Sequence, residues 1–212
     1  MSKKYHVGIF GGTFDPIHMG HLLTAETVRD QYKLEKVVFI PAAVPPHKQD
    51  KLVTPAVHRY NMTLLATADN PYFTVSDIEM HRQGPSYSRD TLAELTRVYG
   101  QDTEFYFIVG ADSIAELHTW NRVEELLAIC HFIGASRPGN MADFASVQAS
   151  FGTLGNKLHQ VDTPELDISS TAIRQMVEQQ QSIKYIVPEA VEQYIYKEKL
   201  YTSVSIPRNC ML

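Results

Sequence analysis

The sequence predicts an α/β fold: a parallel sheet with helices on both faces. Two observations predict it. Short apolar, β-rich runs alternate with helical patterns along the chain, the order that builds a parallel sheet. The first of these runs also opens into a glycine-rich turn and then a helix start, a join that belongs beyond a C-terminal strand end.

Tyr5–Phe10 reads as the first strand. The helix Leu22–Tyr32 comes next, because Leu22, Ala25, Val28 and Tyr32 fall on one face. Further strands are expected at Lys36–Pro41, Tyr72–Ile78, Glu104–Val109, His131–Ala135 and Lys157–Val161. Between and after them, helices are expected at Val57–Ala68, Thr91–Tyr99, Val123–Ala128, Ser170–Gln180 and Glu189–Lys197. Two loops stand out by composition. Ala42–Pro55 contains Val44-Pro45-Pro46-His47-Lys48, whose prolines forbid regular helix and give a stiff, extended path. It is the segment expected to move when substrate binds. Ser136–Gly155 holds Arg137-Pro138-Gly139, with a short helix expected in its middle.

At 212 residues the chain can bury one sizeable core. Residues 1–200 read as a single domain whose C-terminal helical part covers about 168–200, and 201–212 read as a tail. A formal net charge of −5 argues against a general nucleic-acid partner, although a local basic pocket for one nucleotide is compatible with it. With only two cysteines, Cys130 and Cys210, no disulfide framework or thiolate metal site is implied. No apolar run approaches the roughly 20 residues that cross a bilayer, and no signal-peptide core comes after Met1. A cytoplasmic protein with no membrane partner is the simplest expectation. The oligomeric state is open, a homo-oligomer included.

Chemistry concentrates in Gly11-Gly12-Thr13-Phe14-Asp15-Pro16-Ile17-His18-Met19-Gly20-His21. A glycine turn between a strand and a helix offers backbone N–H groups to a phosphate. His18 and His21 at the same turn could stabilise charge on a phosphoryl group in its transition state. A bare His-x-x-His is more often a zinc half-site or two helix-end histidines. Here the upstream glycines favour phosphate, and no nearby cysteine or acidic cluster completes a zinc shell.

A second constellation is Ser169-Ser170-Thr171-Ala172-Ile173-Arg174. The hydroxyls read as a helix N-cap, which is a common structural signal. Arg174, one turn inside, faces back toward the same end, so hydroxyls, free N–H groups and a guanidinium converge where an oligophosphate would bind. Lys48, a solvated charge by default, is held by prolines that make a phosphate contact plausible. Asp112 comes after Gly110-Ala111 at a strand end, where a carboxylate meets ribose hydroxyls or a hydrated metal, or caps the next segment. Trp120, the only tryptophan, either packs or stacks on a ligand ring. Arg82, Arg89 and Arg137 are candidate anion clamps, and only Arg137, in its Pro-Gly turn, has a distinctive context.

Gly12-Thr13-Phe14-Asp15-Pro16-Ile17-His18-Met19-Gly20-His21 resembles the first signature of the nucleotidylyltransferase superfamily, and Ile168-Ser169-Ser170-Thr171-Ala172-Ile173-Arg174 resembles its second. Within it, the chain is similar over roughly residues 5–200 to the bacterial nicotinate-nucleotide adenylyltransferase family. Pro45-Pro46-His47-Lys48, Gly84-Pro85-Ser86-Tyr87-Ser88-Arg89-Asp90-Thr91-Leu92, Ile108-Val109-Gly110-Ala111-Asp112 and Ser136-Arg137-Pro138-Gly139 carry that likeness.

The resemblance implies a Rossmann-like sheet and transfer of AMP from ATP to nicotinate mononucleotide, with Mg²⁺ accompanying ATP and no metal-ligand set of the protein's own. It implies that His18, His21 and Arg174 act on the phosphates, and that Gly11, Gly12, Phe14, Lys48, Gly110, Asp112, Ser169 and Thr171 bind ATP. It also implies that Thr91, Trp120, Asn121 and Arg137 surround the acceptor. Relatives often carry an aromatic residue after the tryptophan, where this chain has Asn121. The rival readings are a sister enzyme such as phosphopantetheine adenylyltransferase, a class I aminoacyl-tRNA synthetase fragment and a non-catalytic nucleotide sensor. A nicotinamide-dependent oxidoreductase is disfavoured, because Gly8-Ile9-Phe10-Gly11-Gly12 lacks the Gly-x-Gly-x-x-Gly spacing.

Overall fold

The computed structural model describes residues 4–44, 53–82, 84, 86–136, 144–164 and 166–202. Its centre is a six-stranded sheet in the order β3-β2-β1-β4-β5-β6. The strands are β1 (Tyr5–Gly12), β2 (Lys36–Pro41), β3 (Phe73–Val75), β4 (Thr103–Gly110), β5 (Cys130–Ser136) and β6 (Leu158–Asp162). Every neighbouring pair is parallel. The chain winds outward from β1 to β3 and then outward the other way from β4 to β6. This is the doubly wound order, with its switch point between β1 and β4.

The period-2 alternation of the strands divides their side chains between two cores. Phe10, Val37, Phe39, Ile108 and Ile133 belong to one cluster, with Val28, Met62, Ile173 and Val191 from helices α1 (Met19–Tyr32), α2 (Ala56–Thr67), α7 (Ser170–Glu178) and α8 (Glu189–Lys197). Val7, Ile9, Val38, Phe105, Phe107 and Phe132 belong to the other, with Leu92, Ile114 and Leu126 from α3 (Ser88–Tyr99), α4 (Ala111–Ala115) and α5 (Val123–Ile129). Burying such a side chain is worth about 1.5–3 kcal/mol, so each face holds its own layer of helices. The expected helix inside Ser136–Gly155 is α6 (Phe144–Ser150).

Several boundaries differ from expectation. The first helix begins at Met19, with His18 at its N-cap, so both histidines sit on its first turn. The third strand shrinks to Phe73–Val75 because Asp77 starts a 3₁₀ turn over Ile78–His81, held by the Met80 N–H to the Asp77 carbonyl at 2.7 Å. Residues 111–115 form a helix that no periodicity announced.

Residue 201 is where the tail is expected to begin. Tyr201 packs against the first core, and its hydroxyl donates to Asp15 Oδ1 at 2.8 Å. The C-terminal helices are likewise part of the main body: the Tyr194 hydroxyl on α8 meets His58 Nδ1 at 2.9 Å and accepts from Asn61 Nδ2 at 3.0 Å, both on α2. Among the described residues no helix is long and apolar enough to cross a membrane.

Candidate active site

A cavity of about 750 Å³ opens at the C-terminal ends of β1 and β4, on the switch point. Its floor is the glycine loop. Phe14 adopts a positive φ of 49° and folds its ring back over Gly12, where a Cβ would stand only 2.8 Å from that ring. The ring is buried and meets Phe10 and His21 edge-on, at centroid distances of 5.7 and 5.1 Å. Phe14 is therefore a shelf under His21 as well as a cavity residue.

The two histidines are bound to each other. The His18 backbone N–H donates to His21 Nδ1 at 3.2 Å, and the two rings stack with centroids 3.7 Å apart. An accepting Nδ1 assigns the proton of a neutral His21 to Nε2, making that atom a donor. His18 is 6% exposed, and burial lowers its pKa to about 4. It is a neutral imidazole at pH 7, and its buried Nδ1 has no protein partner. Gly20 makes room for it: a Cβ there would lie 3.0 Å from His18 Nδ1. Both rings border the cavity at the N-terminus of α1, the end of a helix that favours an anion.

The opposite wall comes from β4 and the segment after it. Phe107, Val109 and Gly110 line it, and nothing stands within 4 Å of a Cβ built on Gly110. Asp112 is the second residue of α4, two residues beyond that strand end. Trp120 packs edge-on against Phe107 and Phe132, at 6.2 and 5.8 Å, and also lines the cavity beside Asn121.

A third wall is formed by Ser86, Tyr87 and Ser88, from a segment that carries the family likeness, and by Glu79, which had no sequence signal. Only the 3₁₀ turn after β3 brings Glu79 here. Thr91, expected beside the acceptor ring, is buried. With Leu92 and Leu95 it forms the buried face of α3 and is absent from the cavity lining. Its hydroxyl donates to Glu79 Oε1 at 2.6 Å and accepts from Arg82 Nη2. Arg82 also pairs with Glu94 at 3.3 Å, and Arg89 pairs with Glu125 at 2.8 Å, so both are committed to ion pairs.

The second signature meets the first at the cavity rim. Ser169 caps α7, accepting from the Ala172 N–H at 3.1 Å. Ser170 Oγ donates to the Pro16 carbonyl at 2.9 Å, and Arg174 Nη1 donates to the Asp15 carbonyl at 2.7 Å. The second Arg174 nitrogen, Nη2, donates to Thr171 Oγ1 at 3.3 Å. Ser170 and Arg174 thus fasten the start of α7 to the glycine loop. Ser169, Thr171 and Arg174 nevertheless stand outside the cavity wall, which Thr163, Pro164, Leu166 and Ile168 form on this side. Lys48 and Arg137 lie outside the described residues. Among the described residues the wall contains no Lys or Arg.

The chain matches the Cytidylyltransferase-like family over residues 9–176. A relative from Thermoanaerobacter sp. (strain X514), named probable nicotinate-nucleotide adenylyltransferase, is 49% identical over 204 residues, covering 95% of this chain and 96% of its own. A relative of the same name from Moorella thermoacetica is 52% identical over 203 residues, covering 95% and 94%. The chain belongs to the nicotinate-nucleotide adenylyltransferase family. Its fold is that of the Plasmodium falciparum nicotinic acid mononucleotide adenylyltransferase solved in complex with NaAD, with a TM-score of 0.75 at 24% identity over 93% of this chain and 97% of that one. In this member of the family the histidine pair, the Gly110 strand end and Trp120 share one cavity, while Thr91 and Arg174 brace it from outside.

Proposed function

We propose that the chain transfers AMP from ATP to nicotinate mononucleotide, forming deamido-NAD and releasing pyrophosphate. The observation that carries this reading is the stacked His18–His21 pair, fixed on the first turn of α1 at the sheet's switch point in a chain of this family.

The acceptor's 5′-phosphate attacks the α-phosphorus of ATP in line, and pyrophosphate leaves. A phosphate monoester is already ionised near neutrality, so no strong general base is needed; positioning and charge neutralisation supply the rate. His21 Nε2–H and the α1 N-terminus face the phosphates, and neutral His18 donates from whichever nitrogen carries its proton. Arg174 at the rim, with Ser169 and Thr171, receives the β- and γ-phosphates, and Lys48 assists. The adenosine lies toward Gly110 and Asp112. The pyridine ring lies against Trp120, with the Asn121 backbone near its carboxylate, and Thr91 supports that wall through Glu79. Mg²⁺ would accompany ATP as part of the substrate, held mostly by ATP oxygens and water. The sparse cysteines are consistent with a cytoplasmic enzyme.

The test is pyrophosphate release from ATP and Mg²⁺ with nicotinate mononucleotide, nicotinamide mononucleotide or phosphopantetheine. Preference for the first is expected. Preference for phosphopantetheine would keep the phosphate site and overturn the acceptor assignment. Silence with all three from folded, ATP-binding protein would overturn the reaction.

A further inference from the structure

Arg59, on the first turn of α2, heads the fully buried side chains by size and is 1% exposed. A buried guanidinium stays charged and costs several kcal/mol of desolvation, a cost that a Met or Leu serving only to pack would avoid. Burial does press its pKa downward, and the nearby Asp15 acts in the opposite direction.

The three described hydrogen bonds of this group go to carbonyls of three separate segments. Nε donates to Thr54 at 2.8 Å, Nη1 to Thr13 at 2.8 Å and Nη2 to Ala43 at 3.2 Å. Thr13 belongs to the glycine loop in the cavity wall, and Ala43 adjoins Ala42, another wall residue. Thr54 leads into α2 through Pro55, and its N–H donates to Asp15 Oδ2 at 3.2 Å. The Ala42 N–H in turn donates to the Gly12 carbonyl at 2.8 Å. Both ends of the proline-rich loop and the floor of the phosphate site are therefore fastened to one planar fork.

We propose that Arg59 is a positioning residue for the triphosphate: it sets the Thr13–Phe14 peptide by holding the Thr13 carbonyl. In a trans peptide the C=O and the following N–H point in opposite directions. Fixing the Thr13 carbonyl on Arg59 turns the Phe14 N–H away from α2, toward the phosphates. A rigid fork with separate N–H vectors does this where a flexible ammonium does so only in part. The inference rests on the adenylyltransfer reading for the identity of the anion.

Arg59→Lys and Arg59→Met are compared with the wild type by steady-state kinetics in each substrate, and by calorimetric titration with a non-hydrolysable ATP analogue and Mg²⁺. In Arg59→Met, KM for ATP and the analogue Kd are expected to rise ~10-fold or more, the scale of a slightly misplaced contact. Arg59→Lys recovers part of that loss, and KM for nicotinate mononucleotide stays near the wild-type value in both. A fall in Tm with unchanged KM for ATP, or equal rises in both KM values, overturns the proposal.

Amide exchange on the wild type needs no variant. The analogue with Mg²⁺ should protect Thr13–Asp15, Ala43 and Thr54 together, and nicotinate mononucleotide alone should not. Protection of the glycine loop without Ala43 and Thr54 counts against Arg59 even if both variants fail to fold. Absence of pyrophosphate release in the wild type would refute adenylyltransfer and leave the analogue titration to judge Arg59.

Discussion

His18 is neutral because its ring is buried, and the consequences can be measured. Replacing it by Ala removes one oriented donor from the developing charge. Turnover should fall at least ~100-fold, the scale of losing one such donor, in a variant that still folds. Near-normal turnover would remove His18 from the chemistry. The lowered pKa also couples this residue to stability. Above pH ~6.5 neither state binds the proton and the fold has its full stability. As pH falls toward about 4, the unfolded chain takes up the proton while buried His18 does not, so unfolding becomes progressively easier. The loss at pH 5 is about 2 kcal/mol. Urea midpoints at pH 7 and pH 5 should therefore differ more in the wild type than in His18→Gln. An equal pH effect in both proteins would place the acid sensitivity elsewhere.

At the scale of an element, the start of α1 sets local stability against function. Gly20 is its second residue, where Ala would be the better helix former by ~1 kcal/mol. A Cβ there would stand 3.0 Å from His18 Nδ1, and the His18 ring is already stacked on His21. Gly20→Ala is expected to leave Tm unchanged or slightly higher while lowering turnover ~10-fold or more through the displaced imidazole. Thermal melts and kinetics on one preparation check both halves; a parallel loss of Tm and activity would mean the helix itself was damaged. The start of α7 is just as closely tied to the site. Ser169 is engaged in the cap, and Ser170 and Arg174 hold the Pro16 and Asp15 carbonyls, so this helix docks on the glycine loop through polar bonds as well as through Ile173 and Val177.

For the whole molecule, the glycine loop is where distant parts of the chain meet. Asp15 receives the Thr54 N–H and the Tyr201 hydroxyl on its two carboxyl oxygens, and its carbonyl receives Arg174. Burial, with Asp15 adding to it, pushes the Tyr201 phenol pKa up, so it remains a donor. Tyr201→Phe leaves a buried Asp15 oxygen short of its partner and should cost about 1–3 kcal/mol in denaturant unfolding. No change would return residue 201 to a dispensable tail. At the opposite end of the sheet, His131 Nδ1 lies 2.7 Å from His159 Nε2, and burial lowers both pKa values. Acid strains that pair in the same direction as His18, far from the cavity.

Alternation of strand and helix, the glycine turn and the two signatures were enough to place a parallel sheet, its two covered faces and the loop that carries the histidines. These features are local: period-2 and helical patterns, turn residues and caps are written in adjacent positions. Trp120 stood out as the only tryptophan, and Gly110 because it directly follows the apolar run Phe105–Val109. What the tertiary structure alone decided was which side chains face the cavity and which brace it. Thr91 turned to the core because it shares a helix face with Leu92 and Leu95. Glu79 reached the wall through an unannounced 3₁₀ turn, and Arg59, with no motif around it, became the joint of three segments. Such assignments depend on contacts between residues tens of positions apart, and on the cost of burying charge without partners, neither of which a local pattern contains.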